Sequence, residues 1–369
     1  MKNGTPKYKI LYDELCDQIQ SGAYEIDSKL PSETQLMGAY GFSRQTVRLA
    51  MEKLVSNGYI HKIQGSGSFV CRPPVATLPN SKSILLMIMF ADHYYFPLYI
   101  TSIENALKNS GYSLTVMITN NDLAEEERQL LAALETDYAG ILIFPTQSAM
   151  FESNLYLYKR IQQLGIPCIQ LGGRRIGVDL PYVLIDDYRS GELATEYLIK
   201  NGHSSIACIM NNGEYSARLR YAGYVGALNR AGLALDLSRV FWFDYDSFED
   251  FFSHSNADAL MQKLEGVTAV FCFNDNTSVQ LCLALISRGK SVPDDISIIG
   301  CDNSYLCEVN HIKLTSISQD PYEVGKVAIK NLLQLILNRG YPASCVFEPA
   351  IVERQSVKAL SLESTLQNT

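Results

Sequence analysis

Leu30-Pro31-Ser32-Glu33, Ser43-Arg44-Gln45-Thr46-Val47-Arg48 and Gln64-Gly65-Ser66-Gly67-Ser68-Phe69-Val70 follow one another near the amino end of the chain. Ser32 and Gln35 have capping-box spacing, in which two side chains satisfy two orphan backbone donors, and Gly41 supplies a left-handed stop. A short helix is expected between them. Ser43 caps the next helix, where Val47, Ala50, Met51, Leu54 and Val55 recur at i, i+3, i+4, i+7 and i+8, so that face is expected to be buried. Arg44, Gln45 and Arg48 then point outward from its first turns. After Gly58, the runs Tyr59 to Gln64 and Ser68 to Val70 flank Gly65-Ser66-Gly67 and read as a two-stranded hairpin with a small tip. Upstream, Leu11, Leu15 and Ile19 make one stripe across Tyr8 to Ser21, closed by Gly22.

Three helices and a glycine hairpin in this order describe a winged helix-turn-helix. A helix N-terminus offers free N–H groups to phosphate, arginine adds bidentate reach to phosphate or guanine, and a small hairpin tip fits a minor groove. Taken singly, the arginines read as a solvated helix face and the glycines as a plain turn; their order and spacing together point to DNA.

The chain has 369 residues, which suggests two or three domains, and its 47% hydrophobic and 19% charged content is that of a folded globular protein. Net charge is -8, but residues 1–75 hold nine Lys/Arg against seven Asp/Glu, leaving 22 against 32 beyond them. The basic surface belongs to the amino end, ahead of an acidic body that would repel phosphates. No signal-peptide core or membrane-length apolar run is evident, so a cytoplasmic location is expected. Nine cysteines are scattered without a C-x-x-C pair and read as reduced core thiols rather than a metal or redox site.

Prolines and small polar residues without periodicity mark residues 73–81 as a semi-rigid linker between a domain at 1–72 and one at 82–369. Beyond it, strand-like runs at Ile84 to Met89, Ser113 to Ile118, Ile141 to Phe144 and Cys168 to Leu171 alternate with helix-like runs at Leu98 to Asn109 and Ala124 to Glu135. Strands at Ile206 to Met210, Val267 to Phe273 and Ile296 to Gly300 continue the pattern, with helices at Ala217 to Arg230 and Asn276 to Ser287. Such alternation means parallel sheets with covering helices, and its length calls for two α/β lobes with a ligand cleft between them. The expected fold is thus a two-lobed α/β body plus a small α+β winged helix-turn-helix.

No catalytic constellation emerges: there is no G-x-S-x-G elbow, phosphate-cradling glycine loop or H-E-x-x-H, and the five histidines are dispersed. Neither a cofactor nor a metal is implied. Planar polar groups instead stand at strand ends: Arg220, Asn274, Asp302 and Gln319. Carboxylate, amide and guanidinium groups match vicinal sugar hydroxyls, and Tyr94, Tyr95 and Phe96 supply faces for the C–H side of a pyranose. Taken alone, Asp302 reads first as a helix or turn cap and Arg220 as a surface ion pair; their company points to the ligand.

The amino-terminal motifs resemble the GntR family of winged-helix repressors over residues 5–71. That resemblance implies DNA contacts at Lys7, Arg44, Thr46, Arg48, Gln64 and Gly67, beside the outward Gln45 and the tip residue Gly65. Glu33 would assist near the recognition helix, orient an arginine, or simply serve the second helix.

Val292-Pro293-Asp294-Asp295-Ile296-Ser297-Ile298-Ile299-Gly300, Leu314-Thr315-Ser316-Ile317, Asn201-Gly202-His203 and Asn274-Asp275 resemble the LacI/GalR effector domain, a relative of periplasmic sugar-binding proteins, over roughly residues 82–350. The resemblance implies inducer contacts from Arg220, Asn274, Asp302 and Gln319, with Tyr95 and Phe96 from the first lobe and Ser190 in addition. It also implies lobes that exchange strands, residues 82–203 with 320–348 against 204–319.

A GntR head in place of the LacI-type helix-turn-helix and hinge helix resembles the arabinose repressors of Gram-positive bacteria, as do Tyr94-Tyr95-Phe96-Pro97 and Pro145-Thr146-Gln147-Ser148-Ala149. Thr146 then either faces the cleft or caps a loop. The implied protein is a cytoplasmic homodimeric repressor that holds operator DNA and releases it on binding a sugar, L-arabinose by resemblance, with no membrane partner. The alternatives are another sugar, an activator, a sugar-binding protein without a DNA role, or a fusion like the PLP-dependent aminotransferase-like regulators. That last class needs a longer C-terminal part and a Schiff-base lysine that are not evident.

Overall fold

A computed structural model describes residues 6–20, 23–25, 27–56, 59–63, 66–70, 81–91, 93–150, 153–309 and 311–360. Gly22, Gly58, Gln64, Gly65 and linker residues 73–80 lie outside the described residues.

The head contains α1 (Lys7–Gln20), α2 (Glu33–Tyr40), α3 (Arg44–Ser56) and the antiparallel hairpin β1 (Ile60–Ile63) with β2 (Gly67–Val70). Ser32 and Gln35 form the capping box, and Gly41, at φ 64°, ends α2 by donating its N–H to the Met37 carbonyl. Leu11, Leu15, Ile19, Leu36, Val47, Ala50, Met51 and Leu54 meet in one core closed by Ile60 and Val70. Val55 departs from the expected stripe and is 37% exposed. It lies about 80° around the helix from Val47 at 3.6 residues per turn, on the edge of the buried face. The hairpin also gains a partner that periodicity did not show: Lys29 bridges Phe69, with Leu30 N–H to Ser68 O and Val70 N–H to Ser28 O, both 2.9 Å.

The body opens with β3 (Ser83–Ile88), α4 (Phe96–Leu107), β4 (Ser113–Ile118), α5 (Leu123–Glu135), β5 (Gly140–Ile143), α6 (Leu155–Gln163), β6 (Cys168–Leu171) and β7 (Tyr182–Ile185). It continues through α7 (Asp187–Lys200), β8 (Ile206–Asn211), α8 (Tyr215–Arg230), β9 (Val240–Phe243), α9 (Phe248–Phe251), α10 (His254–Lys263) and β10 (Ala269–Cys272). Next come α11 (Asp275–Ile286), β11 (Ser297–Asp302), α12 (Leu306–Val309), β12 (Thr315–Ser318), α13 (Pro321–Leu337), β13 (Cys345–Phe347) and β14 (Ala350–Val352).

Two six-stranded sheets result, ordered β13-β7-β6-β5-β3-β4 and β14-β12-β11-β10-β8-β9, parallel throughout except where β14 runs against β12. In β3, Ile84, Leu86 and Ile88 face the core shared with α4 and α13, while Leu85 and Met87 face the core shared with α5 and α6. Burial of both faces is why these strands read as continuous apolar runs. Among the described residues no disulfide forms, and Cys16, Cys168, Cys208, Cys272, Cys282, Cys301 and Cys307 are buried free thiols. No described helix is long and apolar enough to cross a membrane.

The chain crosses between lobes three times: from β7 into α7, from β12 into α13, and from β13 to β14. The division differs from the expected one at α7, which belongs with the second lobe. Ala194 and Leu198 enter that lobe's core, and α7 lies along α8. Two glycines permit this approach. A Cβ at Gly191 would stand 1.9 Å from the Arg220 carbonyl oxygen, and one at Gly223 would stand 2.0 Å from that of Tyr188.

Candidate functional site

The cleft between the lobes opens at the carboxyl ends of the strands, where parallel sheets present their ligands. The crossovers deliver two of its residues. Asp187 opens α7 immediately after β7, and Gln319 follows β12. Because α7 and α8 touch backbone to backbone, Asp187 Oδ1 lies 2.8 Å from Arg220 Nε. Arg220 is therefore a buried ion pair and not a surface one; its Nη1 donates to the Phe273 carbonyl, and its guanidinium lies 5.0 Å from the Phe273 ring centre. Two bonds and a stacked face fix the direction of the group.

Asn274 caps α11, its Oδ1 accepting from Thr277 N–H at 2.9 Å and Thr277 Oγ1 at 2.8 Å. Both acceptor sites are used, which leaves the amide NH2 for any other partner. Asp302 ends β11 at φ 104°, a conformation that costs a non-glycine residue about 1–3 kcal/mol and collects at functional sites. Its Oδ2 accepts from the Tyr94 hydroxyl of the opposite lobe, and burial raises its carboxyl well above the carboxylate range, with Arg220 opposing. Gln319 Oε1 accepts from Tyr95 at 3.2 Å, while its buried Nε2 has no partner. Phe96 and Tyr99 meet Phe144 edge-on at 5.1 and 4.9 Å and build the apolar wall.

Tyr95, Phe96, Arg220, Asn274, Asp302 and Gln319 thus come together in one cleft. Thr146 and Ser190 do not line it, a correction to the expected set. The Thr146 hydroxyl is fully buried against Thr119 at 2.8 Å, and that of Ser190 bonds the Asp186 carbonyl at 2.9 Å inside the first turn of α7. Other lining residues escaped the sequence: His93, Asp187, Glu214, Ser216 and Tyr245. Glu214 and Ser216 stand directly ahead of Ala217-Arg218-Leu219-Arg220 and were legible as part of that motif. Asp187 and Tyr245 follow β7 and β9, strands that no pattern announced. Burial pushes the Glu214 carboxyl up to about 7, and its Oε1 makes no hydrogen bond of good geometry.

In the head, Arg44, Gln45 and Arg48 occupy the exposed face of α3, and Ser43 caps the helix through Thr46 N–H at 3.3 Å. Arg48 Nε reaches Glu52 at 2.9 Å, a surface pair worth only about 0.3–0.5 kcal/mol and readily exchanged for phosphate. Lys7, at the start of α1, lies 5.9 Å from the Phe42 ring centre. Glu33 stands 3.7 Å from Lys62 of the hairpin, tying α2 to the wing. Gly67 has φ 122°, a conformation that favours glycine, and the end of the Lys29 side chain lies against it.

Residues 7–70 match the model for bacterial regulatory proteins of the gntR family, and residues 195–357 match that for a periplasmic binding protein-like domain. The arabinose metabolism transcriptional repressor of Geobacillus stearothermophilus is 32% identical over 366 residues, covering 98% of this chain and 100% of that protein. The chain belongs to this family of sugar-responsive transcriptional repressors. The corresponding repressor of Halalkalibacterium halodurans is 27% identical, covering 95% of this chain and 96% of its own. A transcriptional regulator solved with cellobiose shares the fold of the repressor at TM-score 0.66 and 21% identity, over 89% of this chain and 100% of that one.

Proposed function

We propose that this repressor binds operator DNA through Arg44, Gln45, Thr46 and Arg48 of α3 together with Lys7, Gln64, Gly65 and Gly67, with Glu33 positioning the wing, and that L-arabinose entering the cleft releases it. It acts as a regulator rather than an enzyme, in the cytoplasm. The observation that carries the sugar assignment is Gln319: a buried amide donor without a partner, beside a guanidinium and three carboxyls. Such a donor costs about 1–3 kcal/mol while unpaired, and a ligand hydroxyl relieves it. Asp187, Glu214 and Asp302 against Arg220 leave no net positive charge to hold a phosphate, which favours an uncharged polyol over a sugar phosphate. The names of the relatives support arabinose among such sugars.

Two copies acting as a dimer would read a pseudo-palindromic operator. Leu283 and Ile286 on α11, with Tyr305 and Val309 at α12, are exposed apolar groups that a partner copy would cover. A gel shift on the repressor's own upstream region, with L-arabinose, D-xylose, D-ribose, D-glucose or cellobiose added at millimolar level, tests the whole assignment. Release by L-arabinose alone is expected. Retention of operator with every sugar, together with no sugar-dependent thermal shift, would refute it.

A further inference from the structure

The cleft also contains a carboxyl that joins the two lobes. Glu214 stands at the N-cap of α8 without capping it, is 95% buried, and faces the cleft next to Tyr245, its Oε1 making no hydrogen bond of good geometry. Its other oxygen accepts from Ser148 Oγ of the first lobe at 3.4 Å, a long and weak bond. Ser148 Oγ accepts in turn from Tyr215 N–H at 3.0 Å, and the neighbouring Ala149 N–H reaches Gly213 O at 3.0 Å. The loop at residues 146–150 is thereby seated on the segment at 213–215.

That loop is held from behind by a buried ion pair for which sugar binding has no use. Glu126, with no exposed surface, accepts from Thr146 N–H at 2.8 Å and from the Tyr158 hydroxyl at 2.7 Å. Arg175 Nη2 lies 3.1 Å from the same carboxylate and also reaches the Thr146 carbonyl. Arg175 Nη1 reaches the carbonyls of Gln147 and Met150 at 3.2 Å. One guanidinium thus grips three carbonyls of the loop, and Gln147 adopts φ 44° within it. A buried pair in this setting adds little stability of its own, but it specifies one conformation of what it grips. Here the conformation it specifies is the one that presents Ser148 to Glu214.

We propose that Glu214 is a ligand-binding residue that couples sugar recognition to the seam between the lobes, Oε1 accepting a sugar hydroxyl while Oε2 accepts the Ser148 hydroxyl from the opposite lobe. This rests on the sugar reading of the cleft. A hydroxyl donating to Oε1 fixes the carboxyl plane and aligns Oε2 with Ser148, so ligand and latch reinforce each other. Glu126 and Arg175 are positioning residues that act through the loop.

A double-mutant cycle on the full chain tests it, with L-arabinose affinity read by calorimetry and sugar-free operator affinity read by gel shift. Glu214→Ala is expected to weaken L-arabinose binding at least tenfold, and Glu214→Gln, which keeps the shape and one acceptor, to recover most of it. Ser148→Ala is expected to weaken binding about three- to tenfold in the wild-type background and not at all in the Glu214→Ala background. Operator retention by every variant in the absence of sugar shows that the head remains folded. Additive losses, or a Glu214→Ala variant within twofold of wild type while Arg220→Ala loses binding, would overturn the coupling and leave the sugar reading standing. A wild-type chain that takes up no L-arabinose would instead overturn the reading beneath it.

Discussion

Replacing Gly191 by alanine puts the geometry of the cleft to its hardest test, because the added methyl is small, apolar and not part of the cleft lining. Its Cβ would lie 1.9 Å from the Arg220 carbonyl oxygen and 2.7 and 2.8 Å from that residue's carbonyl carbon and Cα. A carbon-to-carbonyl contact needs about 3.3 Å, so α8 must retreat by roughly 1.4 Å. Asp187 and Arg220, now 2.8 Å apart, would separate to about 4 Å if the helices moved as bodies, beyond hydrogen-bond reach. Overpacking of this kind costs about 1–3 kcal/mol, and leaving a buried charge without its partner adds about 3–5 kcal/mol. At about 2–4 °C per kcal/mol, the melting temperature should fall by roughly 10 °C or more. L-arabinose affinity should drop more than tenfold, because Arg220 no longer aims into the cleft, while operator binding by the head survives below the melting transition. Gly38→Ala in α2 provides the contrast. Nothing lies within 4 Å of its Cβ, so helix propensity should make that change neutral to stabilising by up to about 1 kcal/mol. A Gly191→Ala protein with wild-type melting and sugar affinity would refute the claim that helix contact sets the site.

Arg48→Ala should weaken operator binding by about 10- to 100-fold, the range for one guanidinium contact to DNA, with L-arabinose affinity unchanged by calorimetry. Asp302→Ala should do the reverse, abolishing release by sugar in a gel shift while preserving sugar-free operator binding. Glu214 has a folded-state pKa of about 7 against an unfolded 4.5, so its contribution to stability is fully present below 4.5 and is lost as pH rises through about 7. The loss approaches about 3 kcal/mol, read as the difference in urea unfolding between wild type and Glu214→Gln at pH 5 and pH 8; a constant difference across that range would contradict the burial argument.

Much of this molecule was legible in one dimension, for reasons that differ by region. The capping box at Ser32 and the stop at Gly41 were readable because both are local, each satisfied within one helical turn. The strands at 84–89 and 206–210 were readable because burial on both faces leaves only apolar residues. The short strands Tyr182–Ile185 and Val240–Phe243 passed unnoticed, each being four residues long without polar and apolar alternation. Lys29 as a third partner of the hairpin was hidden because it depends on a pairing nearly forty residues away in sequence. Asp187 failed to show for the same reason: its meaning comes from Arg220, and only the contact of Gly191 with α8 brings the two together. Thr146 was misplaced because a polar residue after a strand reads alike whether it faces a ligand or a buried carboxylate such as Glu126.

The placement of the cleft residues bears on how a sugar can act at all. A ligand shifts a conformational equilibrium only by the difference in its affinity for the two states, so a site contained within one lobe would bind without consequence. Here Asp187 follows the first crossover, and Gln319 stands just before α13, the helix with which the chain returns to the first lobe. Gln319 is bonded to Tyr95 of α4's N-cap, and Asp302 to Tyr94, both across the cleft. Any rotation of one lobe against the other therefore changes the spacing of the groups that hold the ligand. Affinity and lobe geometry are linked by construction, and by reciprocity a head gripping DNA in one arrangement must lower the affinity for sugar by the same factor that sugar lowers the affinity for DNA. Measuring L-arabinose affinity with and without operator should thus return one ratio, equal to the ratio of operator affinities without and with L-arabinose. A ratio of one would refute the linkage, since the sugar would then bind equally to the arrangement that holds DNA and to the one that does not.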